Sequence, residues 1–313
     1  MTTEPQYRPR EYLSISTLLS FARCPRKYFY QKCGIFPPDE SAALCYGTAM
    51  HKAVSLALVE GYDPAIEAFI SLWKPELSDT KRNIERAKAQ LRHFVHTHEK
   101  GRSIYTLLPP PKQQVTPADG DVSPYEIVFM IDVGLPVPIG GRLDGWCQHR
   151  DTGDYYAFEF KTASRLGSSF FDSLEFNPQC LTYSLVTRTV TEMPIKGVMF
   201  EGMLIDPKKV DNLSHPVPVP DYLVEDCAAW LRYVGSLLLS CEERALSLIK
   251  AGQDAAAAFP KTFTGCTAYP LFYQSGSNCE YQNLCRVSEW KAMLPYYEIR
   301  EEHKLVDLTR NET

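Results

Sequence analysis

Four short β-rich runs, 125–133, 141–147, 155–161 and 196–204, occupy the middle of the chain, and a helical pattern over 178–189 stands between the third and the fourth. That order constrains the fold more than any other feature. Parallel neighbours in a sheet need a crossover of a dozen or more residues, usually a helix. The chain is therefore expected to be α/β, with helices packed on the sheet and a long helix over 222–250 following the last run. The first hundred residues read as mostly helical. Ser16 is placed as the N-cap of a short helix that runs into Cys24-Pro25-Arg26-Lys27-Tyr28-Phe29-Tyr30, whose three adjacent aromatics suggest burial. Met50, Val54, Leu58 and Val59 recur at helical spacing, as do Ile84, Leu91, Phe94 and Val95 within 79–99. The prolines at 109, 110, 111, 117 and 124 mark a linker. The expected divisions are a helical segment over 1–106, a linker or loop over 107–124, a sheet core over 125–258 and a tail over 259–313.

Composition narrows the function classes. At 313 residues and 44% hydrophobic, the chain can bury a sizeable core. A net charge of −5 provides no global attraction for phosphate, so contact with nucleic acid must be local. Arg23, Arg26, Lys27 and Lys32 form one candidate patch, and Lys81, Arg82, Arg86, Lys88 and Arg92 another; a solvated face is the bland alternative for both. The opening MTTEPQYRPR has no apolar signal-type run, and no stretch of about 18 apolar residues follows. A soluble, cytoplasmic protein without a membrane partner is expected.

The chemistry concentrates in Gly141-Arg142-Leu143-Asp144-Gly145 and, after a turn, Phe158-Glu159-Phe160-Lys161. Residues two apart in a strand share a face, so Glu159 and Lys161 point one way while Phe158 and Phe160 point to the core. A hairpin brings Asp144 close to Glu159. Two such carboxylates suit a hard cation such as Mg²⁺ or Mn²⁺, which can activate water for phosphoryl chemistry. An exposed cross-strand ion pair is the alternative reading of these three residues.

Asp144 and Glu159-Phe160-Lys161 resemble the signature of the PD-(D/E)XK nucleases in its RecB-like form. Gly47-Thr48-Ala49-Met50-His51 is similar to the family's helical G-x-x-x-H motif, and Gln179-Cys180-Leu181-Thr182-Tyr183 to its Q-x-x-x-Y motif; Glu126 stands where many members carry an acid. No proline precedes Asp144, as in many members. The resemblance implies a restriction-endonuclease-like mixed sheet flanked by helices, and a Mg²⁺- or Mn²⁺-dependent DNA exonuclease. It implies Asp144, Glu159, His51 and the Phe160 carbonyl as metal ligands, Lys161 as catalytic lysine, and Gln179 and Tyr183 as residues that position the strand or the water. DNA with free ends is the implied partner, together with recombination or CRISPR proteins.

Of the ten cysteines, Cys266, Cys279 and Cys285 lie within twenty residues of a tail with weak periodicity, which needs something other than an apolar core to order it. Four thiolates suit zinc or an iron–sulfur cluster, and C-x2-C pairs typical of zinc ribbons are missing. One early cysteine before a proline plus three late ones resembles the iron–sulfur staple of AddB-type and CRISPR-associated RecB-family exonucleases. Carried over, that resemblance names Cys24, Cys266, Cys279 and Cys285 as ligands of a 4Fe-4S cluster, with Cys33 and Cys45 as substitutes for Cys24. Cys147, Cys180, Cys227 and Cys241 read as small core hydrophobes. Two rival functions stay open: a catalytically silent DNA-binding or adaptor protein with the same fold, and a redox sensor centred on the cluster.

Overall fold

The computed structural model describes residues 11–38, 41–99, 103–111, 125–262 and 279–300. The chain divides into two compact units, each built from separated segments: 1–39, 132–140 and 229–304 in the first, and 40–131, 141–228 and 305–313 in the second.

The second unit contains the sheet. Helices α3 (Ala42–Glu60), α4 (Tyr62–Leu72) and α5 (Ile84–Glu99) precede β2 (Tyr105–Leu108) and β3 (Ile127–Ile131). β4 (Ile139–Leu143), β5 (Gly145–His149) and β6 (Tyr155–Ala163) follow, then α6 (Ser168–Asp172), α7 (Pro178–Thr191), β7 (Ile195–Leu204) and β8 (Asn212–Pro218). Five strands form a mixed sheet in the order β2-β5-β6-β7-β8. β6 and β7 are its parallel pair, and α7 is the crossover between them; the other neighbours are antiparallel. Helices flank this sheet, an arrangement consistent with a restriction-endonuclease-like fold.

The core on one face joins α3, α4 and α5 to Phe158, Phe160, Met199 and Met203 of the sheet. In α3 the buried stripe is Cys45, Tyr46, Ala49, Met50, Ala53, Val54 and Ala57. Small alanines let the helix approach β6; Leu58 packs against this core as expected, and Val59 is exposed. α3 is the one helix among the described residues long and apolar enough to cross a membrane; here its apolar stripe is a core face. α5 begins at Ile84 rather than near 79, because the Asp79 carboxylate accepts the Lys81 and Arg82 backbone N–H groups and closes a separate turn.

The first unit contains β1 (Ile35–Phe36), β9 (Glu298–Ile299), α1 (Ile15–Arg23), α2 (Pro25–Lys32), α9 (Gln282–Arg286) and, from residue 229 onward, α8 (Asp221–Lys250). Ser14, not Ser16, caps α1, accepting the Thr17 N–H at 3.1 Å. Tyr28, Phe29 and Tyr30 are buried as expected. They stack against Phe259, Tyr281 and Trp290, with ring centroids 5.2–5.8 Å apart. This corrects the expectation that apolar burial plays no role in ordering the tail. Phe259, Tyr281, Leu284 and Trp290 are all buried although they follow no helical or strand period.

Candidate functional site

Asp144 sits between two strands rather than within one. The expected run 141–147 breaks there into β4 and β5, and Gly145 takes a φ of 153°, a region that L side chains avoid. β5 pairs with β6 through Gly145↔Phe158, so Asp144, one residue earlier, faces Glu159. The Phe160 N–H donates to Asp144 Oδ2 at 2.8 Å and fixes that corner. A Cβ at position 145 would also come within 3.1 Å of the Tyr125 carbonyl. Gly145→Ala is expected to cost about 1–3 kcal/mol in a urea melt, the size of one strained backbone position. An unchanged melt would show that Asp144 is held by something else.

Phe158 and Phe160 enter the apolar core, which turns Glu159 and Lys161 to the other face, toward α7. The Glu159 side chain is only 3% exposed against 32% for Lys161, and the two are ion-paired. A solvated surface pair therefore does not describe them. On α7 one helical turn separates Gln179 from Tyr183, which places both on the face toward this carboxylate. Lys161 Nζ donates to Gln179 Oε1 at 3.3 Å, and Gln179 Nε2 donates to Glu159 at 3.3 Å and to the Tyr183 hydroxyl oxygen at 2.7 Å.

His51 comes in from α3. Its Nε2 lies 2.8 Å from the Phe160 carbonyl, and since a carbonyl only accepts, the proton is on Nε2. Nδ1 then turns its lone pair to Asp144 Oδ1 at 3.5 Å. Burial lowers the His51 pKa, so the ring is held neutral. Burial raises Asp144 to about 6 against the pull of the Phe160 N–H and Lys161. Burial, and then the Asp144 charge, raise Glu159 to about 7 although Lys161 opposes them. Burial holds the Tyr183 phenol well above its ordinary range, so it stays protonated.

These observations test whether a divalent cation suits the residues. The buried Glu159, the partly buried Asp144 and the imidazole lone pair lie near one another, and burial leaves both acids holding their protons more tightly than in water. His51 donates its other N–H to a backbone carbonyl, the arrangement usual for a metal-ligating histidine. A cleft of about 20 Å³, room for one water-sized sphere, is lined by His51, Glu126 and Asp144. The donor set fits Mg²⁺ or Mn²⁺. The side chains are not yet closed around one point: Glu159 is turned onto Lys161, and among the described residues no three His, Cys, Asp or Glu side chains form a ready ligand group.

Glu126 reaches the cleft from just before β3. The resemblance marks an acid at this position but names no ligand or catalytic role for it, since a lone acid at the start of a strand has no local pattern. The basic patches are largely engaged elsewhere. Arg26 bonds the Phe259 carbonyl, Lys27 pairs with Glu280, and Lys32 is buried. Arg82 pairs with Asp79, Lys88 with Glu85, Arg86 donates to the Lys209 carbonyl, and Arg92 lies over Tyr62.

Cys24, Cys279 and Cys285 belong to the first unit, and Cys266 lies outside the described residues. Cys24 is buried between α1 and α2, and among the described residues it forms no ready ligand group with Cys279 and Cys285. Cys147, Cys180 and Cys227 are buried as expected; Cys241 is half-buried.

Among solved structures, the chain is similar to a crystal structure of a "Putative exonuclease" from Eubacterium rectale, at a TM-score of 0.47 and 12% identity, over 74% of this chain and 82% of that one. No curated protein matches. The family described as the PD-(D/E)XK nuclease superfamily matches residues 12–286, most of the sequence, and the chain belongs to that superfamily.

Proposed function

We propose that this chain is a RecB-like exonuclease that hydrolyses DNA phosphodiester bonds with Mg²⁺ or Mn²⁺. The observation that carries the reading is the facing pair of carboxylates, Asp144 and the buried Glu159, with Lys161 beside them. Asp144, Glu159 and His51 would hold the cation, which when bound polarises a phosphoryl oxygen and eases ionisation of water; the Phe160 carbonyl, on the Nε2 edge of the imidazole, would orient that ring rather than share the cation. Lys161 Nζ, already fixed between Glu159 and Gln179, orients the attacking oxygen and offsets charge on the phosphate. Tyr183, still protonated, donates a hydrogen bond to the strand, and Gln179 holds Tyr183 and Lys161 in register.

On this reading the helical segment 1–106 supplies His51, the core 125–258 the other site residues, and 259–313 the late cysteines. Cys24, Cys266, Cys279 and Cys285 would bind a 4Fe-4S cluster. The assignment rests on the resemblance, and Cys24, Cys279 and Cys285 belong to one compact unit. The setting is cytoplasmic processing of DNA ends, in recombination or CRISPR spacer acquisition with the proteins of those pathways.

End-labelled single- and double-stranded DNA, incubated with and without Mn²⁺, tests the reading. Short products released from the ends only when metal is present are expected. No degradation with Mn²⁺ present would reject a nuclease, and cutting of closed circles as fast as linear DNA would reject an exonuclease.

A further inference from the structure

Beside the carboxylates, α3, α5 and β2 enclose a cavity of about 250 Å³. Leu58, Phe94, Val95, His98, Leu107 and Tyr125 wall it, and the exposed Thr106 and Arg150 stand at its rim. Leu58 and Tyr125 also line the cleft that holds His51, Glu126 and Asp144, so cavity and catalytic cleft share a wall. We propose that this cavity receives the base of the nucleotide whose phosphate is cut, a subsite that rests on the nuclease reading and specifies its substrate as an unpaired strand end.

The chemistry of the walls selects a base over a phosphate. Most of the lining is aliphatic or aromatic, which suits the faces of a flat ring and offers a phosphate few donors. His98 is engaged on both ring nitrogens. One ring nitrogen lies 2.8 Å from the Phe94 carbonyl and the other 2.8 Å from the Tyr105 hydroxyl, which in turn reaches the buried Glu201 at 3.3 Å. The imidazole, 4.0 Å from the Phe94 ring between centroids, is thereby locked as a rigid aromatic wall. Arg150 is steadied by its Nε–H, which donates to the Tyr105 carbonyl at 3.0 Å, and supplies a polar contact for the base edge. The volume falls below the about 300–1,000 Å³ of sites that take drug-sized ligands, so it admits one ring system and excludes a base pair. A duplex end must therefore unpair before its terminal base can enter, and single-stranded or frayed ends are the preferred substrates.

The test uses the whole protein with Mn²⁺ and end-labelled oligonucleotides carrying one abasic tetrahydrofuran nucleotide at the first, second or third position from the end. At one of these positions the missing base is expected to slow release of the product about tenfold, the range of one base-stacking contact. Thr106→Trp, at an exposed position on the edge strand β2, places an indole over the mouth. It should slow cleavage of natural ends by a similar factor and make the enzyme indifferent to the abasic nucleotide, with its melt confirming the fold. Natural DNA cleaved normally, with no abasic effect at any position, would overturn the subsite alone. An abasic effect of equal size in wild type and Thr106→Trp would also overturn it, by showing that the base is read elsewhere. If undamaged DNA is not cleaved at all, the nuclease reading falls, and the subsite with it.

Discussion

Glu159→Gln is expected to reduce DNA degradation by more than about 100-fold, because loss of a ligating carboxylate costs more than the 10–100-fold typical of outer-shell changes. The same substitution should raise the stability of the metal-free protein. Burial and the neighbouring Asp144 raise the Glu159 pKa from 4.5 to about 7. A carboxyl whose folded pKa is raised contributes stability that is full below its unfolded pKa and is lost as pH rises through the folded value. Wild-type protein in EDTA should therefore lose melting temperature between pH 5 and 8 on account of this group, while the Gln variant escapes that loss. The gap between the two melts should widen with pH in EDTA and close when Mn²⁺ is added, since only wild type gains the full binding energy. Equal stabilisation of both proteins by Mn²⁺ would remove Glu159 from the ligand set. Degradation of DNA by the variant at the wild-type rate would remove the whole site assignment.

What the sequence made legible was whatever depends on strand alternation and short helical spacings. Glu159 and Lys161 had to share a face opposite Phe158 and Phe160, and Gln179 and Tyr183 had to share a helix face; the structure brings all four polar groups together. The crossover between β6 and β7 followed from one helix between two apolar runs. Features decided by tertiary partners were not legible. β8, with Pro216 and Pro218, is not among the expected β-rich runs, yet it is the outer strand of the sheet, where proline is tolerated because one side makes no ladder. The corner at Asp144 depends on the positive φ of Gly145 and on a hydrogen bond from Phe160, sixteen positions away. Glu126 and the cavity behind it join α3, α5 and β2 with residues far apart in the chain, and no local pattern announces such a meeting. The aromatic contacts that tie residues 28–30 to 259–290 are equally non-local.

Those aromatic contacts sharpen what Cys24→Ala should do. Protein purified without air is expected to be brown and to hold iron and sulfide. Both Cys24→Ala and Cys285→Ala should lose the chromophore completely, because a cubane cluster is retained poorly by three thiolates. Cys33→Ala is the matched control. Cys33 is buried in the same unit, where burial pushes its thiol up to about 12 and its charged neighbours are Lys32, Asp254 and Lys291; the colour should survive its loss. The fold should respond in a graded way, since Tyr28, Phe29, Phe259, Tyr281 and Trp290 make a buried set of ring contacts of their own in addition to any thiolate ligation. The Cys24→Ala protein is thus expected to melt in two steps. The first unit should open at a lower temperature, and the sheet-bearing second unit should keep its wild-type transition and its response to Mn²⁺. A colourless native protein that holds one zinc ion would overturn the iron–sulfur centre but retain the four-cysteine staple. A brown Cys24→Ala protein with an unchanged melt would overturn the staple, and the aromatic cluster would then be what joins the early and late segments of this unit.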